Sequence, residues 1–333
     1  MPNQKDVAKL AGVSSASVSR YLADPENVGA VRGKRIQKAI DSLNYKVDTA
    51  AQALKTGKSH HISILIPGSA PFYWVIIQNI QQRLSESGYY SSVLFTRQYD
   101  QEIPISNAMV HRMLHSNQIE AFIHFPLSSE KDRILTNYIR RMHDNLLVVD
   151  DIPEDDRIPY LLFDNYGAGK LAAKEFAAKG HKKILLLTGD EFFRSSTDRT
   201  RGFLDGLREE GIEIHEDYIL HASFTASVAF PLFINSVFPE FTAVLAPNDT
   251  TAIAFIRAAQ MKGLRCPEDY QLISFDNNIE YAPYTTPSIT SFNQPVHEAG
   301  IHAAELILDL IERKDVARET LYPLKLVKRE SFH

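Results

Sequence analysis

Between Ser14 and Tyr21 the chain reads "SSASVSRY", a run of short side chains closed by one arginine. Short residues on an exposed helix face let that helix sink close to base edges, and a neighbouring guanidinium suits a guanine edge or a phosphate. Ser15, Ala16, Ser17, Ser19 and Arg20 form such a face if Val13, Val18 and Leu22 pack inward. A small helical bundle with no role on nucleic acid carries the same pattern, so spacing alone leaves both readings open.

The other constellations fail as catalytic or metal sites. "YGAGKL" at 166–171 has the outline of a phosphate loop, yet Asp164 stands where its first glycine belongs and Leu171 replaces the Ser or Thr that holds magnesium. His111 and His115 of "HRMLH" share a helix face, but no acidic residue occupies the second position and no third ligand is evident. No GxGxxG follows a strand, and "PEDDR" at 153–157 reads as a solvated loop. The single cysteine, Cys266, excludes an internal disulfide framework and a cysteine-based zinc site. No catalytic residue, metal or cofactor is assigned, and an enzyme is not expected.

The elements that must position the arginine are legible around it. Val7, Ala8, Leu10 and Ala11 supply the buried face of a first helix, Gly12 permits a tight turn, and Ser14 caps a second helix. A third helix from about Val31 to Leu43, apolar at Ile36, Ile40 and Leu43, closes a three-helix core. Residues 44–59, "NYKVDTAAQALKTGKS", then form a linker in which Asp48 or Thr49 caps a short helix over "AAQAL" ended by Gly57. A helix so short needs outside support to fold.

From Ile62 onward, apolar runs such as "ISILI", "AFIHF", "LLVVDD", "KKILLL" and "YQLISF" alternate with amphipathic stretches of helical length. Strands without polar alternation, each followed by a helix, imply parallel sheets covered on both faces. About a dozen such strands exceed one comfortable sheet, so two doubly wound lobes are expected. The length of 333 residues agrees with two or three domains. No 18-residue apolar run and no signal-peptide succession occurs, which makes a cytoplasmic location the expectation.

Charge is divided along the chain. The formal net charge is -5, but residues 1–59 carry 10 basic against 5 acidic side chains, and the remainder is net -10. Such polarity orients a protein on DNA by its head.

"KDVAKLAGVSSASVSRYL", followed by "KAIDSLNY" and "AAQAL", resembles the head and hinge of the lactose repressor family of bacterial transcription factors. Further matches in the family's order are "GYYSSVLF", "GHKKILLLTG", "DRTRGF", "NDTTAIAFIRAAQMKGLRCPEDYQLISFDN", "TTPSITSFNQP" and "LVKRES", so the resemblance covers nearly the whole chain. It implies an α/β protein with an all-α helix-turn-helix head (1–46), a hinge helix and linker (47–59) and a two-lobed, doubly wound body like that of periplasmic sugar-binding proteins (60–333). The N-lobe is expected over about 60–158 plus 294–319 and the C-lobe over about 159–293 plus 320–333, with crossings near Asp156 to Pro159, Ser291 to Pro295 and Thr320.

The resemblance also implies roles. Ser15 and Ala16 discriminate bases, Arg20 is the base-edge contact, Ser17 and Asn27 lie on the DNA-facing side, and Leu54 with Ala51 enters the minor groove at a central CpG step. Val47 and Asp48 depart from the family's usual proline and asparagine, and Gly29 and Val31 replace hydroxyl residues, which lowers the expected operator affinity. In the cleft, Arg199 clamps the effector with Asp276 as acidic partner. Asn248 opens a helix there, Phe72, Trp74 and Phe224 supply aromatic faces, and Asp164, Ser195 and His124 complete the expected lining. The partners implied are near-palindromic operator DNA, a sugar or sugar derivative and a second copy of the chain in a homodimer, with no membrane. The function expected is a repressor of carbohydrate uptake or catabolism genes. The alternative is a cytoplasmic small-molecule binding protein without operator specificity.

Overall fold

Asn3 starts the first helix, α1 (Gln4–Ala11), with a capping box in which it accepts from Lys5 and Asp6 N–H while Asp6 reaches back to the Asn3 N–H. The computed structural model describes residues 2–46, 58–68, 71–96 and 118–333, which divide into two compact units, Met1–Ser59 and His60–His333. The hinge positions Val47, Asp48, Ala51 and Leu54 and the pair His111 and His115 lie outside the described residues.

In the first unit, α1 ends at Gly12, whose φ of 62° suits a residue without Cβ. Ser14 then accepts from the Ser17 N–H at 3.2 Å and begins α2 (Ser15–Ala23). With α3 (Ala30–Leu43) these helices bury Val7, Ala8, Ala11, Val18, Val28, Ile36 and Ala39. Arg35 of α3 donates to the Ala11 and Gly12 carbonyls at 2.5 and 3.2 Å, fixing the turn between α1 and α2. Leu10 departs from the expected buried face. It is 55% exposed, because Val7, Ala8 and Ala11 already fill the stripe toward α3 and Leu10 lies off it.

The second unit begins with β1 (His61–Ile66), α4 (Pro71–Glu86), β2 (Tyr90–Phe95), β3 (Ala121–His124), α5 (Glu130–Met142), β4 (Leu146–Val149) and β5 (Tyr160–Phe163). It continues through α6 (Asn165–Ala178), β6 (Ile184–Thr188), α7 (Arg194–Glu209), β7 (Ile219–His221), α8 (Ala226–Asn235), β8 (Ala243–Leu245) and α9 (Asp249–Met261). It closes with β9 (Gln271–Asp276), β10 (Thr290–Asn293), α10 (Val296–Ile311), β11 (Glu319–Tyr322) and β12 (Lys325–Val327).

Among the described residues these strands form two six-stranded sheets, in the orders β11-β5-β4-β3-β1-β2 and β12-β10-β9-β8-β6-β7. Every pairing is parallel except β10 with β12. Central strands such as β3, β4 and β6 are buried along their length, as sheets covered on both faces require.

The chain passes between the sheets three times, at Asp164, at Gln294 to Pro295 and between Tyr322 and Lys325. Two of these crossings lie later than expected. "YLLF" at 160–163 and the residues from Glu319 to Tyr322 pair with each other, and Val148 and Val149 pair with Tyr160 and Leu161, so both strands belong to the N-lobe. An apolar strand reads the same in either sheet, which is why its lobe was not legible.

Candidate functional site

The face expected to meet DNA is built by the cap and the turn. With Val18 fully buried, α2 leaves Ser15, Ala16, Ser19 and Arg20 exposed. Ser17 is half-buried, its hydroxyl 3.0 Å from that of Ser14, so it belongs as much to the cap as to the face. Arg20 has no ion pair among the described residues, and Asn27 is exposed, its N–H held by Asp24 at 3.3 Å. A long donor-rich side chain with no intramolecular partner is available to a base edge or phosphate.

In the body, the residues expected to meet the effector centre on Arg199, a buried residue in the second turn of α7. Close packing of α6 on α7 puts it there: a Cβ on Gly202 would lie 2.1 Å from the Tyr166 carbonyl oxygen, and one on Gly169 would lie 2.4 Å from that of Arg199. Gly167, in turn, leaves room for the Asp164 carboxylate, which caps α6 by accepting from the Gly167 N–H at 2.8 Å. The glycines of "YGAGKL" thus serve helix capping and helix packing, and Asp164 is engaged as a cap.

Arg199 donates from Nε to Asn165 Oδ1 at 2.8 Å and from Nη1 to the Pro247 carbonyl at 2.6 Å. Its Nη2 lies 3.8 Å from Asp276 Oδ1. Its guanidinium carbon sits 4.4 Å from the Phe275 ring centroid and 5.8 Å from that of Phe224. Burial works against the arginine's charge, while Asp276, Asp150 and Asp249 favour it.

Phe224 is held in place by its neighbours. Asp190 accepts from its N–H at 3.3 Å, and Asn248 Nδ2 and the Thr250 hydroxyl donate to its carbonyl at 3.0 and 2.8 Å. Gly189 lies under the ring, where a Cβ would come within 2.6 Å. Asn248 also caps α9 by accepting from the Thr251 N–H at 2.9 Å. Ser195 lies one turn before Arg199 on α7 and is buried.

The remaining expected residues are less closely joined to this centre. Phe72 meets Phe163 edge-on at 5.6 Å. Trp74 is exposed and meets Phe95 edge-on at 6.0 Å. His124 is fully buried at the end of β3, with Nδ1 3.0 Å from Thr136 Oγ1 of α5. Desolvation pushes its pKa down to about 3, so the imidazole is neutral, and its buried Nε2 meets no hydrogen-bond partner among the described residues.

Asp150 and Gln294 escaped the sequence reading. Asp150 follows β4 directly, has a φ of 66° and interacts electrostatically with Arg199 and Asp276. Burial foremost raises its carboxyl to about 7, as it does for Asp249 in α9. Gln294, at the second crossing, donates from Nε2 to Asp276 Oδ1 at 2.8 Å. A carboxylate at the carboxyl end of a parallel strand was the available signal for Asp150. Elsewhere in the cleft the Ser128 N–H donates to the Phe192 carbonyl at 2.8 Å and Arg194 lies 3.7 Å from Asp151, so the lobes touch directly.

Residues 4–48 match the family described as "Bacterial regulatory proteins, lacI family", and residues 173–332 match a periplasmic binding protein-like domain. The HTH-type transcriptional repressor PurR of Vibrio atlanticus (strain LGP32) is 30% identical over 329 residues, covering 95% of this chain and 93% of that protein. Its namesake in Aliivibrio salmonicida (strain LFI1238) is 28% identical over 338 residues, covering 100% and 99%. Among solved structures, the lac repressor dimer bound to operator and the anti-inducer ONPF is similar with a TM-score of 0.82 at 25% identity, over 99% of this chain and 98% of that one. The two curated relatives are named as transcriptional repressors with a helix-turn-helix, and the solved one is a repressor bound to operator. On these grounds the chain belongs to the lacI family of bacterial regulatory proteins and is a DNA-binding transcription regulator.

Proposed function

We propose that this regulator represses genes of carbohydrate uptake or catabolism by binding a near-palindromic operator as a homodimer, with a sugar or sugar derivative between its lobes setting operator affinity. The exposed row Ser15, Ala16, Ser19 and Arg20 over a buried three-helix core carries the DNA half of the reading. Each α2 enters one major groove, Ser15, Ala16 and Arg20 meet base edges, and Ser17 and Asn27 support the approach. Ala51 and Leu54 are assigned to the minor groove at the operator's centre.

Arg199, Asp276 and Phe224, with Phe72, Ser195, Asn248 and Asp164 around them, are assigned to the effector. A guanidinium and a carboxylate in one cleft suit vicinal hydroxyls, and a ring face suits a pyranose. Ligand and DNA are coupled because the two lobes carry separate sheets linked by three crossings, so a ligand that prefers one lobe arrangement shifts the population of that arrangement. The lac repressor dimer was solved with both operator and an anti-inducer, which supports a regulator that takes DNA and a small ligand together.

The test is selection of genomic fragments on the purified full-length protein at two salt concentrations. A palindrome that survives the higher salt is expected, because base contacts outlast counterion release. Binding that fades uniformly with salt and enriches no sequence would overturn the operator reading.

A further inference from the structure

We propose that the interlobe cleft is built for a polyhydroxylated primary amine, of the amino-hexose class, whose ammonium group is paired by Asp150 and Asp276, and that it rejects phosphorylated or carboxylated ligands of the same framework. This rests on the reading of the cleft as the effector site.

The argument begins with the distribution of charge. Arg194 is matched by Asp151 at 3.7 Å and by Asp198 at 3.3 Å, and Asp198 also pairs with Arg201 at 2.9 Å. Asp249 is occupied: the Ser291 hydroxyl and the Asn278 N–H donate to its two oxygens, each at 2.7 Å. The centre that remains holds one cation, Arg199, and two carboxylates, Asp276 and Asp150. Among the described residues the Asp150 carboxylate accepts no hydrogen bond. A half-buried carboxylate without a donor or a cation of its own is costly, and a ligand that supplies both removes the cost.

A second observation concerns the hydrogen-bonding inventory. Gln294 is 2% exposed, and while its Nε2 donates to Asp276, its Oε1 meets no donor among the described residues. Beside the arginine, the open positions around Asp276 are therefore its own second oxygen and Gln294 Oε1, joined by the Asp150 carboxylate once that group has lost its proton. Arg199 has committed Nε and one Nη1 hydrogen to Asn165 and Pro247, so the second Nη1 hydrogen and both on Nη2 remain, Nη2 lying 3.8 Å from Asp276 Oδ1. An ammonium offers three donors and no acceptor, and hydroxyls beside it serve Gln294 and the arginine. An ionised phosphate brings no donor for those acceptors and adds negative charge where two carboxylates already face one guanidinium.

The same arrangement fixes a pH signature. Asp150 is faced by Arg199 and by Asp151, Asp198, Asp276 and Tyr73, and its carboxyl is raised to about 7. Below that value the empty cleft holds a proton that an arriving ammonium must expel. Affinity for the amine therefore rises with pH toward about 7, with proton release.

The experiment is isothermal titration of the full-length protein with matched trios built on glucose, galactose and mannose, each as the neutral hexose, the 2-amino-2-deoxyhexose and the 6-phosphate. Titrations in two buffers of different ionisation enthalpy count protons. In at least one trio the amine should bind about tenfold more tightly than the neutral sugar, a difference of about 1.4 kcal/mol. That amine should release a proton below about pH 7, and the phosphate should not bind. Asp150→Asn should remove most of the amine's advantage over the neutral sugar. The proton count uses the unaltered chain and stands if that variant fails to fold. A neutral sugar or a phosphate binding as tightly as the amine would overturn the amine assignment and leave the sugar reading intact. Binding by no member of any trio would overturn both.

Discussion

Removing the Arg199 guanidinium would leave Asp276 and Asp150 together in the cleft without their cation and would strand Asn165 Oδ1 and the Pro247 carbonyl. Breaking a buried pair from one side costs about 3–5 kcal/mol. Arg199→Ala should lower the unfolding free energy of the full chain by about that much in urea titration, and Arg199→Ala with Asp276→Asn should recover part of it. Equal destabilisation in the single and double variants would mean that packing on Phe275 is what matters. Arg20 is the opposite kind of arginine, exposed and unpaired among the described residues. Arg20→Ala should relax base preference at one position per half-site by about 1–3 kcal/mol in fragment selection, whereas a phosphate contact would weaken all sequences alike. Both arginines were singled out in the sequence by the motifs around them. Asp150 was not, because "VVDD" reads as the end of a strand and only the folded chain brings β4 to Arg199. What the sequence could not show for His124 is its burial at the end of β3, where Thr136 takes Nδ1 and Nε2 is left without a partner among the described residues.

At the scale of elements, the position of Arg199 depends on how closely α6 and α7 approach. Gly202→Ala would put a methyl against the Tyr166 carbonyl and force the helices apart. Overpacking of this kind costs about 1–3 kcal/mol, and here it should also shift the guanidinium. The variant is expected to have a lower Tm and a higher effector Kd, with specific operator binding in the absence of effector retained. Loss of stability with unchanged effector affinity would show that the helix contact does not set the site. The head was legible almost in full, because capping residues, a left-handed glycine and apolar spacing each act locally. Leu10 was the exception, since the choice among neighbouring apolar residues is made by α3, a distant partner. Lobe membership of Tyr160–Phe163 and Glu319–Tyr322 was hidden in the same way: strand pairing is nonlocal, and a run buried on both faces carries no mark of its sheet.

For the whole molecule, the buried titratable groups pull stability in opposite directions across one pH range. Asp150 and Asp249 are raised to about 7, so the folded chain holds protons there that the unfolded chain has released, and their contribution falls as pH rises from about 4 to about 7. His124, depressed to about 3, is neutral in the folded chain, and its contribution is lost as pH falls below about 6.5. A plain stability curve therefore mixes the two, but a difference curve separates them. Asp150→Asn should gain stability relative to the unaltered chain as pH rises from about 4 to about 7, read as a growing difference in urea midpoint. A difference that is flat or shrinks with pH would mean that Asp150 ionises freely in the folded chain.

The late strands β11 and β12 also set a timetable for biosynthesis. β11 pairs with β5, roughly 160 residues earlier in the chain, and β12 completes the other sheet only after it. At ordinary translation rates that separation corresponds to a wait of about 10–30 s, during which one edge of the N-lobe sheet has its backbone hydrogen-bonding groups bare on the ribosome. Neither lobe can be finished as an independent nascent domain, and the two reach completion within a few residues of each other. A ribosome that stops short of Glu319 releases two sheets with open edges, the kind of surface that chaperones hold and proteases clear.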